Sequence, residues 1–401
     1  HPMSNPLLNT SSLPRFDEIR PEHVLPAIRK VLADQRAELD RLLKSGTSPD
    51  IDALVAPIEH MGQELGRIWS PVSHLQSVLG SADWREAYKE ALPLLTEYGT
   101  ELSQNAELQR AYAEVERGLP SDASAESRSA VEQALRNFHL AGVDLEDEAK
   151  ERFKAIMQEL SQLTSRFSDN VLDATNAWHR QVTDESELAG LPETARALAR
   201  QTAEQRELEG WVFTLEFPSY YPVMTYADNR GLREELYTAY VTRASDQGPH
   251  AGQWDNARLM EQILALRHEA AGLLGFANYA ERSLETKMAE SPQHVLDFLN
   301  DLAARSKPSA AKELQAVRDF AHREDGHEDL QTWDIPYYSE KLRQQKYAIS
   351  QEELKPYFPQ PQVVSGLFGI VERLYGLSIR EIDGIDTWHE DVRFYRIHDA
   401  E

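Results

Sequence analysis

Apolar residues recur at spacings of three and four along most of this chain, and that periodicity restricts it to a fold built from amphipathic helices. The clearest instance is the stripe Phe153, Ile156, Met157, Leu160, Leu163, Phe167 and Val171, which lies on one face of a long helix. Val24, Ile28, Val31 and Leu32 begin the same pattern in a run of helices from Pro21 to Arg117. Gly46 is expected to close the first of these, and Ser48 to cap the next ahead of Pro49 and Asp50. Pro71, Pro93 and Pro308 each remove a donor N–H, so each predicts a break or kink. Asp144 is expected to cap the long helix, with Glu146, Asp147 and Glu148 in its first turn, where the helix dipole favours acids. That acidic row reads as helix-end electrostatics, because a hard-cation site needs convergent oxygens.

β structure enters between Trp178 and Phe217, with strands expected at Gln181 to Thr183 and Trp211 to Phe217 and a helix after Pro192. The aromatic run Tyr220 to Tyr226, broken by Pro222, predicts an edge strand or extended segment. It leads to a helix capped by Asp228 or Asn229 and carrying Leu232, Leu236, Ala239 and Tyr240. Further helices are expected over Asp255 to Leu274, from Ser291-Pro292, after Trp333, and through Leu367, Val371 and Leu374. Val392 to Ile397 reads as a strand with a turn at His398 to Glu401. A strand there without a partner implies a polypeptide cut short.

Composition narrows the function classes. Forty-two basic against 67 acidic side chains give a net charge of −25, which repels nucleic acid and anionic membrane surfaces. There is no cysteine, which excludes disulfides, thiol catalysis and thiolate metal sites and suits a reducing cytoplasm. No apolar run is long enough to span a bilayer, and His1-Pro2 ahead of Met3 reads as a tag remnant.

The motifs that carry chemistry are missing. His268-Glu269 lies on a predicted helix, but a zinc peptidase helix needs a second histidine four residues on, and Gly272 stands there. His327-Glu328 meets Gln331 and His389-Glu390 meets Arg393 at the same spacing. No serine-nucleophile elbow, phosphate loop or dinucleotide fingerprint occurs. The residues therefore assign no catalytic and no metal position. Tyr220, Tyr221, Tyr226, Tyr337 and Tyr338 offer flat area with a polar tip, suited to lining a peptide channel and more commonly used to pack helices.

FDEIRPEHVLPAI from Phe16, IWSPVSHL from Ile68, FSDNVLDAT from Phe167, PSYYPVMTYADNRGLREELYTAYVTRASDQG from Pro218, LLGFANYAERSLETKMAESPQ from Leu273 and WDIPYYSEK from Trp333 occur in order. In wording and spacing the chain resembles the thimet-oligopeptidase-like zinc metallopeptidases. The resemblance implies a mainly α fold: a multi-helix N-terminal lobe with a small β element, part of a two-lobed zincin-type oligopeptidase. It divides the chain into a helical domain over 3–155, a long helix and mixed connector over 156–222, and over 223–401 the first part of a catalytic region that stops before the zinc motif. It implies a parent enzyme that uses zinc to hydrolyse short unstructured peptides, spent signal peptides among them, in the cytoplasm. This chain is then expected to hold no cofactor, to be inactive alone, to lack its C-terminal lobe and to self-associate. The competing class is a non-enzymatic helical protein that binds peptides or a partner chain.

Overall fold

A computed structural model describes residues 5–10, 12–46 and 48–400; the expected tag residues His1 and Pro2 lie outside them. The chain forms two compact units, one of His1–Thr164, Ile263–Glu285 and Gly376–Glu401, the other of Ser165–Gln262 and Thr286–Tyr375. Both are mainly helical, and the described residues include two small antiparallel sheets of two strands each.

In the first unit, α1 (Val24–Leu43), α2 (Ala56–Leu79), α3 (Ala82–Ser103), α4 (Ala106–Gly118), α5 (Ala125–Leu140) and the start of α6 (Asp147–Ala177) follow one another. Their apolar faces meet as the periodicity requires. Val24, Ile28, Val31 and Leu32 of α1 pack with Ile68, Val72 and Leu75 of α2 and Trp84, Ala91 and Tyr98 of α3. A second cluster joins Leu39, Met61, Leu108, Tyr112 and Phe138. Burial pushes the Tyr112 phenol up to about 12. Phe153, Ile156 and Leu160 of α6 form a third cluster with Ile263, Leu266 and Ala270.

Local expectations give way where burial outweighs them. α2 and α3 run on through Pro71 and Pro93. An interior proline costs about 3 kcal/mol, which burying Ile68, Pro71, Val72 and Leu75 on one face of α2 offsets. Asp50, not Ser48, caps the next element, accepting from the Ala53 amide at 2.7 Å. Asp144 does not cap α6; its carboxylate lies 2.6 Å from Nδ1 of His139. The expected unpartnered final strand has a partner: β4 (Tyr395–His398) pairs with β3 (Ser378–Glu381), Ile379 opposite Ile397. The missing-partner argument for a cut chain therefore fails, because the partner precedes the strand rather than following it.

The second unit holds β1 (His179–Val182), α7 (Glu193–Gln205), β2 (Trp211–Thr214), α8 (Phe217–Tyr226), α9 (Arg230–Val241), α12 (Pro292–Asp325), α13 (Ile335–Tyr347), α14 (Gln351–Leu354) and α15 (Gln360–Tyr375). α10 (Ala257–Leu273) begins there, and α11 (Tyr279–Leu284) lies in the first unit. β1 pairs antiparallel with β2, His179 opposite Thr214. The aromatic run after β2 is a helix, not the expected extended segment. Pro218 falls in its tolerant first turn, Ser219 and Tyr220 donate to the Glu216 carbonyl, and Ser219 Oγ accepts from Thr214 N at 2.9 Å. Val223, Met224 and Ala227 then reach the core together with Leu232, Leu236 and Phe213. Burial at helical spacing overrides the strand preference of tyrosine, valine and threonine. α12 also continues through Pro308, in an exposed stretch where water can satisfy the freed carbonyl.

Gly190 fixes the entry to α7. Its φ is +85°, and a Cβ there would lie 2.3 Å from the Tyr226 carbonyl oxygen. Ala189 O accepts from Asp228 N at 2.9 Å, so this turn clamps the end of α8.

One buried charge ties these helices together. Asp334 and Arg233 are both almost fully buried, and Arg233 Nη2 donates to Asp334 Oδ1 at 2.9 Å. Arg230 adds a second guanidinium, donating to Oδ2 at 2.6 Å, and the Gln331 amide donates to the same oxygen at 2.9 Å. Burial alone would raise the carboxyl's pKa, but the hydrogen bonds from Arg230, Gln331 and Arg233 together hold it below the ordinary aspartate value. Arg233→Met removes one of the two guanidinium partners of this buried carboxylate, leaving Arg230 and the Gln331 amide, and is expected to lower the unfolding free energy by about 1.5–3 kcal/mol in a urea titration. Arg230→Met costs less, because Arg230 is partly exposed and solvent replaces it. The depressed pKa sets the acid limb. Asp334's contribution is complete above the unfolded-state value of about 3.9 and is lost as pH falls through the lower folded value, so Asp334→Asn is expected to flatten stability against pH below that point.

Candidate functional site

α10 brings the motif-like pair His268-Glu269 to an exposed face. Glu269 is occupied by Arg152 of α6, with Nε to Oε1 at 2.6 Å and Nη2 to Oε2 at 2.7 Å. That fork holds the carboxyl below its usual range, chiefly through the Arg152 hydrogen bonds. A zinc site needs three or four convergent N or O donors. Among the described residues no group of three or more His, Asp or Glu side chains could hold a metal ion. Zinc therefore has no fitting donor set in them.

The tyrosines are mostly spent on packing. Tyr220 stacks on Tyr240 with centroids 4.3 Å apart, and burial pushes its phenol up to about 12. Tyr337 is buried, donates to Asp228 Oδ1 at 2.6 Å, and lies 4.0 Å beneath the Arg233 guanidinium. Tyr338 is buried and donates to Asp325 at 2.8 Å. Desolvation, then the carboxylate partner, raises both phenols. Tyr226 reaches Glu340 at 3.5 Å. Tyr221 is the more open, stacked on Phe217 at 5.1 Å and donating to Gln351. The polar partners of these rings were invisible in the sequence, since Tyr337 and Asp228 stand 109 residues apart.

The second unit also presents apolar helix faces to solvent. On α15, Val363, Leu367, Ile370 and Leu374 recur at i, i+4, i+7 and i+11, and all are exposed. On α12, Leu296, Phe298, Leu299 and Leu302 are each at least half exposed. Soluble monomers rarely leave such stripes uncovered. No helix among the described residues is long and apolar enough to cross a membrane.

Tyrosine-bearing helices and uncovered apolar faces define the class of a mainly helical scaffold. Comparison with known proteins gives that class a family. Residues 28–150 match the Neurolysin/Thimet oligopeptidase N-terminal domain, and residues 223–401 match Peptidase family M3. The chain belongs to peptidase family M3. It is 52% identical to oligopeptidase A of Escherichia coli strain K12 over 99% of this chain and 58% of that protein. Against oligopeptidase A of Haemophilus influenzae it is 50% identical over 99% of this chain and 58% of the relative. A probable cytosolic oligopeptidase A of Arabidopsis thaliana is 38% identical over 99% of this chain and 57% of its own length. The chain thus spans less than two thirds of these relatives.

The uncovered stripes generate a prediction about solution state. The purified chain is expected to self-associate with rising concentration in light scattering, and Leu367→Lys with Ile370→Lys to shift it towards monomer. A monodisperse monomer at every concentration would contradict this.

Proposed function

We propose that this chain is the N-terminal portion of a zinc-dependent oligopeptidase that hydrolyses short unstructured peptides, spent signal peptides among them, in the cytoplasm. The observation that carries the reading is 50–52% identity to bacterial oligopeptidase A across 99% of the chain. In this reading residues 3–155 form a helical domain, 156–222 a connector, and 223–401 the first part of the catalytic region, which ends before the zinc motif. The chain supplies a scaffold and a wall for the peptide, while the metal ligands belong to sequence it does not contain. The exposed stripes of α12 and α15 suit burial against that further sequence. The chain alone is inactive and holds no catalytic zinc, consistent with an Arg152-bound Glu269 and no donor cluster among the described residues.

Metal analysis and a quenched-peptide assay test this on two proteins. The chain by itself is expected to bind no stoichiometric zinc and cleave nothing. Extended with the C-terminal region of Escherichia coli oligopeptidase A, it is expected to gain chelator-sensitive cleavage of short peptides, and Glu269→Gln to leave that activity intact. One zinc per chain with cleavage by the unextended protein would sink the proposal, as would a folded extended protein that cleaves no peptide.

A further inference from the structure

A half-buried arginine in the first unit has no acid to pair with. Arg282, in the last turn of α11, lies with its guanidinium carbon 5.5 Å from the centre of the Phe153 ring. Its side chain makes no ion pair and no hydrogen bond among the described residues. Burial pushes this guanidinium below its ordinary value, and the only group acting the other way is the Tyr279 phenol, not a carboxylate. The acids of α3 are committed elsewhere, Glu97 and Glu101 to Lys154 and Glu101 also to Arg36. A cation that loses water without gaining a counterion costs free energy, which an anion seated beside it would recover.

Arg282 lines a cavity of about 370 Å³ whose other walls come from α3, α5 and α6. On the α3 side, Thr96, Thr100 and Ser103 donate their hydroxyl hydrogens to the carbonyls of Leu92, Thr96 and Thr100. The lining contains no Asp or Glu, although the chain as a whole carries a net charge of −25. An anion entering here therefore meets one unpaired cation and no carboxylate. Gly99, Ser103 and Asn137 also line a narrower cavity of about 190 Å³, so the two adjoin. The narrower one is a mainly apolar slot, walled by Ile58, Leu102, Leu108 and Phe138, with Tyr112 edge to face on Phe138 at 5.5 Å.

We propose that these adjoining cavities bind a small carboxylic acid that carries an apolar tail. The carboxylate pairs with Arg282, whose planar fork of N–H donors matches its two oxygens. The tail enters the slot between α3, α4 and α5, where only apolar surface gains from leaving water. The cavity beside Arg282 is of small-molecule size, and an apolar wall with a few placed polar groups is the usual make-up of such sites.

Gly99 stands where the two cavities meet, and a Cβ built on it meets no atom within 4 Å, so Gly99→Leu fills the junction without striking backbone. Leucine also favours the helix more than glycine does. Titration calorimetry of the whole chain with 4-phenylbutyrate is expected to give saturable one-site binding. Gly99→Leu is expected to abolish it without lowering the melting temperature. Acetate, which has the charge but no tail, is expected to bind at least tenfold more weakly than 4-phenylbutyrate. Replacing the acid by 4-phenylbutyramide is expected to weaken binding to wild type about tenfold or more, and to make no difference in Arg282→Gln. Absence of saturable binding to wild type overturns the proposal, as does undiminished binding of 4-phenylbutyrate to Gly99→Leu or to Arg282→Gln, or acetate binding as tightly.

Discussion

The second unit depends on a carboxylate that has left water. Asp334 sits at the end of a short 3-10 turn and accepts hydrogen bonds from Arg230 and Arg233 of α9 and from Gln331. Arg233 also donates to the Ala227 carbonyl at 2.6 Å and to the Trp333 carbonyl at 3.2 Å. One guanidinium therefore joins the exit of α8, the body of α9 and the entry to α13. A buried ion pair is weak evidence for net stability, because desolvation offsets most of the attraction. Its geometry is demanding in a way that apolar contact is not. A shift of any of the three helices breaks one or more of these bonds, and Tyr337 beneath Arg233 extends the constraint to Asp228.

The first unit is held differently. Its clusters are aliphatic and aromatic side chains from stripes three and four residues apart, with few buried polar groups. Gln35 is an exception, fixed by the Met61 carbonyl at 2.7 Å and by the Tyr98 hydroxyl at 3.0 Å. Such a core tolerates local faults. Pro71 and Pro93 each remove one backbone hydrogen bond, yet the faces around them stay buried and the helices remain continuous.

This contrast explains what could be read in the sequence. Helices with long periodic stripes were legible, because Phe153, Ile156, Leu160 and their neighbours state the period several times over. The run Tyr220 to Tyr226 was not, because strand preference is local whereas the burial of Val223 and Met224 is tertiary. Its Pro218, placed for a first helical turn, was the available signal. β3 escaped notice because Ser378-Ile379-Arg380-Glu381 carries a single apolar residue and no alternation, and without it β4 looked unpartnered. That Gly272 stands four residues after His268 was legible directly, since the zinc-helix motif demands named side chains at fixed spacing. The partner of Glu269 was not, because Arg152 stands 117 residues away.

The patterning rule that explains the buried helices has a second use where it meets exposed ones. On α15, Val364, Phe368 and Val371 are half-buried while Val363, Leu367, Ile370 and Leu374 face solvent. The helix is thus apolar on both sides, the composition of an element enclosed all round rather than of a surface helix. Each exposed aliphatic side chain forgoes about 1.5–3 kcal/mol of burial. A face of four such residues in register gives α15 the character of an interface. The same logic applies to Leu296, Phe298, Leu299 and Leu302 of α12, where the helix stands exposed around most of its circumference. A long helix exposed in this way gains little from tertiary packing over that stretch. Its order there rests on propagation from the packed end at Val317, Phe320 and Ala321.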